Sequence, residues 1–279
     1  MNLYAVLGSP IAHTLSPCIH KKAFAIKGIE ADYIPLHMPP ERLAQDIGFL
    51  RHHFSGFNCT IPLKVEIIPY LAETDQAASW LGSVNTVACR NGKLYGYSTD
   101  GYGFLSSLAL EGVSLTGKRV LLLGSGGVAR VIAHECAAAG ADVTIYARNP
   151  QTGRDLAETV QAHTGRAVTY TGQQPSVGFD LLVNCTPVGM SPKTDASPAT
   201  KELLSGIPVV FDTIYAPAET LLLQTARECG AKTINGLCML IYQALRAQEI
   251  WLDITFTEQE VREIADFVQT ELEQRRGAK

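Results

Sequence analysis

The chain has little that would mark a secreted, metal-binding or membrane protein. Its seven cysteines, Cys18, Cys59, Cys89, Cys136, Cys185, Cys229 and Cys238, are odd in number, widely scattered and never spaced as CxxC. That argues against a disulfide framework and a zinc knuckle, so no metal site is expected, and it suits free thiols in a reducing cytosol. Neither sign of charge dominates: 23 basic against 27 acidic residues leave a formal net charge of -4. There is thus no electrostatic reason to expect nucleic acid or an anionic membrane surface as a partner. No apolar run approaches the roughly 18 residues needed to cross a bilayer. The opening MNLYAVLGSP lacks a basic n-region and a long apolar h-region, so a cytoplasmic location without export signal or membrane span is expected. Internal repeats and low-complexity tracts are missing as well. What is there is 279 residues, 46% hydrophobic, enough for two globular domains whose partners are small molecules. The oligomeric state is not encoded in any motif, and a homodimer stays open.

Alternation and turn signals organise the chain. NLYAVLGSP is an apolar run closed by Gly-Ser-Pro, Pro17 to Gly28 has helical spacing, and ADYIPLHM reads as a second strand, a β-α-β start. Pro39 to Arg51 suggests a helix, FNCTI a third strand, and NTVACRNGKLYGYST a hairpin turning at Asn91-Gly92. A first α/β domain is therefore expected over 1–100. From Gly101 a helical segment leads to GKRVLLLGSGGVARVIAHECAAAGADVTIYAR, a strand, glycine turn, alanine-rich helix and strand. Buried-type runs follow at FDLLVNCT, VVFDTIY and KTIN, so residues 101–236 read as a Rossmann-type parallel sheet with helices on both faces. The tail from Gly236 is helical with a break near Ile254 to Thr257, and helices over about 237–279 are expected to pack back on the first domain. The fold class is α/β.

Gly124, Gly126 and Ala129 form G-x-G-x-x-A between a strand and a helix. The first glycine permits the turn, the second lets a pyrophosphate approach the backbone, and the small alanine lets helix pack on strand. The helix N-terminus then offers N–H groups and a positive dipole end to the anion. At the end of the next strand, where NAD sites usually carry an acid, this chain has Ala147, Arg148 and Asn149, with Arg154 soon after. A guanidinium grips a 2′-phosphate that a carboxylate would repel, which favours NADP. Other polar clusters lie outside this unit. Thr14 and Ser16 stand before a helix, as caps or as carboxylate ligands. Asn85 and Thr86 open the hairpin, and Asp100 follows it beside glycines that let the chain come close to a ligand.

The motifs GSPIAHTLSPCIH, GFNCTIPLK, GSVNT, YSTDGYG, GSGGVAR, NCTPVGM, FDTIYAPAET and NGLCMLIYQA, in this order, make the chain resemble the shikimate dehydrogenase family over essentially its whole length. The resemblance implies reversible reduction of 3-dehydroshikimate to shikimate with NADPH, on the route to aromatic amino acids. It implies Lys64 and Asp100 as the catalytic pair: an ammonium near the carbonyl oxygen can stabilise developing charge and supply a proton, and a carboxylate can orient it and hold a substrate hydroxyl. Which of the two moves the proton stays open. The resemblance further implies Thr14 and Ser16 as ligands of the substrate carboxylate. It implies Asn58, Thr60, Asn85, Asp100 and Gln243 as ligands of the ring hydroxyls, with Tyr215 also on the substrate side. The cofactor residues it implies are Gly124, Ser125, Gly126, Gly127, Val128, Ala129, Arg148, Asn149, Arg154, Asn184, Thr186, Met190, Ile214 and Gly236.

Three positions depart from the family pattern: Thr14 where serine is usual, Ser98 where asparagine is usual before Thr-Asp-Gly, and Thr152 in place of the second arginine of the phosphate clamp. The first bears on substrate range, the second on support of Asp100, the third on cofactor choice. None of the seven histidines is expected to be catalytic. His13 and His20 read as structural or capping residues, and His52 and His53 as a surface turn. Cys59 and Cys185 read as small buried residues. Two rivals remain: an enzyme for quinate and shikimate that prefers NAD, and a non-catalytic paralogue that senses NADP or a metabolite. The first would need an acid near Ala147, and the second would not need both Lys64 and Asp100.

Overall fold

Alternate residues of each strand face opposite layers, and in this chain both faces are apolar, so each sheet is covered on two sides. The computed structural model describes residues 2–12, 14–175 and 178–277; His13 lies outside them. The chain divides into two compact units, Met1–Gly103 with Leu240–Lys279, and Phe104–Met239.

The first unit holds a mixed six-stranded sheet of β1 (Asn2–Gly8), β2 (Ala31–His37), β3 (Gly56–Cys59), β4 (Glu73–Thr74), β5 (Thr86–Arg90) and β6 (Lys93–Tyr97), in the order β2-β1-β3-β5-β6-β4. β1 runs parallel to β2 and β3, while β5 is antiparallel to both its neighbours. The β5–β6 turn is Asn91-Gly92 with φ of 50° and 70°, the left-handed pair a two-residue hairpin needs. Its helices are α1 (Ser16–Lys27), α2 (Pro40–His53), α3 (Leu63–Glu66), α4 (Gln76–Leu81) and the start of α5 (Asp100–Leu110). Ala5, Leu7, Phe57 and Val87 pack on Leu43, Ile47 and Leu50 of α2, whereas Tyr4, Val6 and Tyr33 face Phe24 of α1. His52 and His53 belong to the last turn of α2 and not to a turn beyond it; their exposure there lets the helix continue to Phe54.

The second unit is a fully parallel sheet of β7 (Arg119–Leu123), β8 (Asp142–Tyr146), β9 (Val168–Thr171), β10 (Leu181–Asn184), β11 (Val209–Asp212) and β12 (Lys232–Ile234), ordered β12-β11-β10-β7-β8-β9. Read from β9, this is the Rossmann order, with the switch point between β7 and β10. Its helices are α6 (Gly127–Ala138), α7 (Pro150–Thr164), α8 (Lys201–Leu204) and α9 (Leu221–Glu228). Val120 and Leu122 share a core with α6 and α7, and Leu121 and Leu123 share another with α8 and α9. The edge strand β9, VTYT, carries only one buried residue, so it gave no apolar run to read.

Two further helices, α10 (Leu237–Leu252) and α11 (Glu258–Gly277), end the chain. The break between them is set by a capping box: Thr257 N donates to Glu260 Oε2 (2.8 Å) and Glu260 N to Thr257 Oγ1 (3.3 Å). Trp251 of α10 donates to the Val87 carbonyl (2.9 Å), and Lys22 and Lys27 of α1 pair with Glu263 and Glu260 of α11. These contacts seat the tail on the first unit's sheet and α1.

Candidate active site

GFNCTIPLK supplies the whole of β3 and, after Thr60 to Pro62, enters α3, which makes Lys64 the second residue of that short helix. Its carbonyl accepts from Val84 N (2.8 Å), fixing the backbone. STDGYG leaves β6 and starts α5 with Asp100 as its first residue. The two side chains meet: Lys64 Nζ is 2.5 Å from Asp100 Oδ2. With side chains 28% and 18% exposed, the pair is shielded yet open to a small molecule. The other oxygen, Oδ1, accepts from Asn85 Nδ2 at 2.8 Å.

Asn85 joins these groups to the strands behind them. Its Nδ2 also reaches Thr99 Oγ1 (3.0 Å) and Gln243 Oε1 (3.2 Å), and its Oδ1 accepts from Thr99 N (2.8 Å). Gln243 comes from α10 and is steadied by the Leu240 carbonyl (2.8 Å). Asn58, on β3, donates to the Asn85 carbonyl (3.0 Å) and Thr86 Oγ1 (2.9 Å). The departure at Ser98 leaves Asp100 fully supported, because Asn85 and Lys64 hold both oxygens.

Thr14 and Ser16 lie side by side: Thr14 Oγ1 accepts from Ser16 N and donates to Ser16 Oγ, both at 3.2 Å. Thr14 thus holds the first N–H of α1, while the N-cap residue itself, Leu15, has no side-chain bond to offer. Thr60 is half-buried where its backbone N–H meets the Leu7 carbonyl (2.9 Å). His20 is buried and stacks on Tyr33, with centroids 4.0 Å apart; it is structural and does not cap. Burial pushes the Cys59 thiol up to about 12 and raises that of Cys185 too, which leaves neither a ready nucleophile.

In the second unit the glycine motif forms the expected strand–turn–helix. Gly124 has φ of +105°, and a Cβ there would press on Thr186. Nothing stands within 4 Å of where a Cβ of Gly126 or Gly127 would be, and Gly126, as N-cap of α6, has no side chain to occupy the first N–H groups. The backbone there can take a pyrophosphate. Val128 is partly exposed beside them, while Ala129 is fully buried and serves the helix–sheet packing. Arg148 is exposed after β8, and Asn149 caps α7 by accepting from Gln151 N and Thr152 N. Ser125 Oγ meets Thr152 Oγ1 at 2.8 Å. Arg154 instead lies over the Tyr170 ring, 5.7 Å from its centroid.

The loops after β10 and β11 are bound to one another. Asp212, fully buried, accepts from Thr220 Oγ1 (2.6 Å), Asn184 Nδ2 (3.0 Å) and Ile214 N (3.1 Å). Burial raises its carboxyl above the ordinary range. Asn184 Oδ1 in turn accepts from Thr186 N (2.9 Å) and Oγ1 (2.7 Å). Asn184 is thus buried with its amide engaged, and it shapes the loop that presents Thr186 and the exposed Met190. Gly236 donates to the Ile214 carbonyl (3.0 Å), and any Cβ on it would run into the Thr213 carbonyl. Tyr215 is half-buried, its phenol raised by desolvation.

The shikimate dehydrogenase substrate binding domain matches residues 6–87. The NADP(+) shikimate dehydrogenase of Carboxydothermus hydrogenoformans is 39% identical over 91% of this chain and 92% of its own length. The chain belongs to the shikimate dehydrogenase family. Two solved members of this family share its fold. One, a shikimate dehydrogenase in complex with NADP+, has a TM-score of 0.93 at 34% identity, covering 98% of this chain and 96% of its own. The other, shikimate 5-dehydrogenase from Thermus thermophilus in complex with NADP(H) and shikimate, has a TM-score of 0.88 at 34% identity, covering 96% and 100%.

For a shikimate dehydrogenase, the sequence signals left out four supporting groups. Thr99, adjacent to Asp100, was hidden as an ordinary hydroxyl at a strand end. Tyr33 looks like any inward residue of an alternating strand. Asp212 and Thr220 stand eight positions apart in FDTIYAPAET, and only the fold of that loop brings the hydroxyl onto the carboxylate.

Proposed function

We propose that this protein catalyses the reversible NADPH-dependent reduction of 3-dehydroshikimate to shikimate, in aromatic amino acid biosynthesis. The observation that carries the reading is the Lys64–Asp100 contact of 2.5 Å, with Asn85 on the second carboxylate oxygen. Lys64 brings hydrogen-bond donors, and Asp100, engaged on both oxygens, orients them toward one side. When a carbonyl oxygen lies against Lys64, the ammonium stabilises the charge that develops there and passes it a proton; in the reverse direction the pair takes the hydroxyl proton back. NADPH, when bound, supplies the hydride that completes the reduction. Thr14 and Ser16 hold the substrate carboxylate, and Asn58, Thr60, Asn85, Gln243 and Tyr215 meet its ring hydroxyls and ring. Groups aimed at several hydroxyls discriminate sharply, since a missing partner leaves buried polar atoms unpaired.

Gly124, Ser125, Gly126 and Gly127 would hold the pyrophosphate, supported by the open backbone of that turn. Arg148 would grip the 2′-phosphate, beside the Ser125–Thr152 hydroxyl pair where the family's second arginine is missing. Thr186, Met190, Ile214 and Gly236 would flank the nicotinamide. The partners this reading requires are small molecules, and seven free thiols suit a reducing cytosol. No helix among the described residues is long and apolar enough to cross a membrane.

The test is the initial rate of nicotinamide reduction with shikimate, comparing NADP and NAD at matched concentrations. Turnover with a large NADP preference is expected. A preference for NAD would overturn the role of Arg148, and no turnover with either cofactor would overturn the reading itself.

A further inference from the structure

Asn58 is buried, and almost all of its hydrogen-bonding capacity is spent inside the protein. Both Nδ2 hydrogens are taken, by the Asn85 carbonyl (3.0 Å) and Thr86 Oγ1 (2.9 Å). Oδ1 accepts from the Tyr33 hydroxyl at 2.7 Å. These three bonds decide which way the amide points, and they leave one lone pair on Oδ1. Tyr33 is itself fully buried, a position where a phenylalanine would pack equally well and where a hydroxyl requires a partner. Its ring is clamped by the parallel stack on His20, 4.0 Å and 7°. Gln248 holds that histidine by donating to both its Nδ1 and its carbonyl, each at 3.0 Å.

We infer that Tyr33 is a positioning residue that, together with the bonds holding both Nδ2 hydrogens, keeps Asn58 an acceptor only, so that the ring hydroxyl meeting Asn58 must donate its hydrogen. This rests on the proposed dehydrogenase reading. It has a consequence for selectivity: a ligand with a ketone or ether oxygen at that place would set acceptor against acceptor and be rejected, because the amide cannot turn to offer Nδ2. Without the phenol, the Nδ2 bonds to the Asn85 carbonyl and Thr86 hydroxyl remain, but Oδ1 loses the one bond that steadies it in the place where the substrate hydroxyl meets it.

The experiment is steady-state kinetics of wild type, Tyr33→Phe, Asn58→Ala and the double variant, with shikimate and NADP varied separately. Tyr33→Phe keeps the stack on His20 and removes one oxygen. Its KM for shikimate is expected to rise about threefold to tenfold, the range of one hydrogen bond, with KM for NADP unchanged. In the Asn58→Ala background the same change is expected to add nothing, since the group it positions is gone. An unchanged shikimate KM in Tyr33→Phe, equal rises in both KM values, or fully multiplicative effects in the double variant would each overturn the inference. Should Tyr33→Phe lose its folded tryptophan fluorescence, Thr86→Val removes the anchor on the opposite side of the amide. The same shikimate-only rise is expected there, and its absence would overturn the inference. A wild-type protein that does not turn over shikimate removes the reading beneath the proposal and the proposal with it, which is a different result from an active wild type with indifferent variants.

Discussion

Acid should weaken the first unit through His20. This side chain is fully buried, and burial lowers its pKa from 6.5 to about 3, with the nearby Asn58 amide offsetting only part of the loss. Nδ1 accepts from Gln248 Nε2, so a proton added there would face a donor. Turning the Gln248 amide to receive it would set Oε1 against the His20 carbonyl, which now accepts from Nε2. The unfolded chain protonates His20 near its ordinary value while the folded chain keeps it neutral. The folded state then binds fewer protons, and stability falls as pH drops below about 6.5, down toward the folded pKa. Linkage over the interval from pH 7 to pH 5 amounts to about 2 kcal/mol. The assay is urea unfolding followed by tryptophan fluorescence, because both tryptophans, Trp80 and Trp251, lie in the first unit. His20→Phe keeps an aromatic ring on Tyr33 and removes the titrating group. Carboxylates common to both proteins cancel, so the variant should lose about 2 kcal/mol less than wild type over this interval. Equal losses in the two proteins would refute the reasoning.

Lys64→Ala should lower turnover by about a hundredfold or more, the usual range for a lost general acid, with NADP binding by titration unchanged; unaltered turnover would sink the mechanism. Asn85→Ala removes a bond to a charged carboxylate and strands Thr99 N, so kcat should fall about tenfold to a hundredfold, read against a near-normal KM for NADP. Arg148→Ala should weaken NADP binding far more than NAD binding in equilibrium titration; equal weakening would move the 2′-phosphate to the Ser125–Thr152 pair. Asp212→Ala leaves three buried donors without a partner and should destabilise the second unit by about 3 kcal/mol or more, seen as a lower Tm relieved by saturating NADP.

Much of this was legible in the chain. The G-x-G-x-x-A turn, the Asn91-Gly92 hairpin and the order of apolar runs depend on backbone conformations and alternation that neighbouring residues decide among themselves, so sequence alone determined the α/β class and the parallel nucleotide-type sheet. Lys64 and Asp100 were legible for a different reason, as fixed residues in motifs. Local pattern could not tell how they would be held. Asn85 meets Gln243, 158 residues away, and Tyr33 of β2 meets Asn58 of β3 across the intervening β1. The same limit applied to Asn184, whose amide the fold turns inward onto Asp212, and to Arg154, which stacks on Tyr170. The edge strand β9 escaped because it buries too little to leave a run. A residue's chemistry travels with its identity, whereas its direction and remaining hydrogen-bonding capacity are set by partners that only the tertiary structure brings within 3 Å or so.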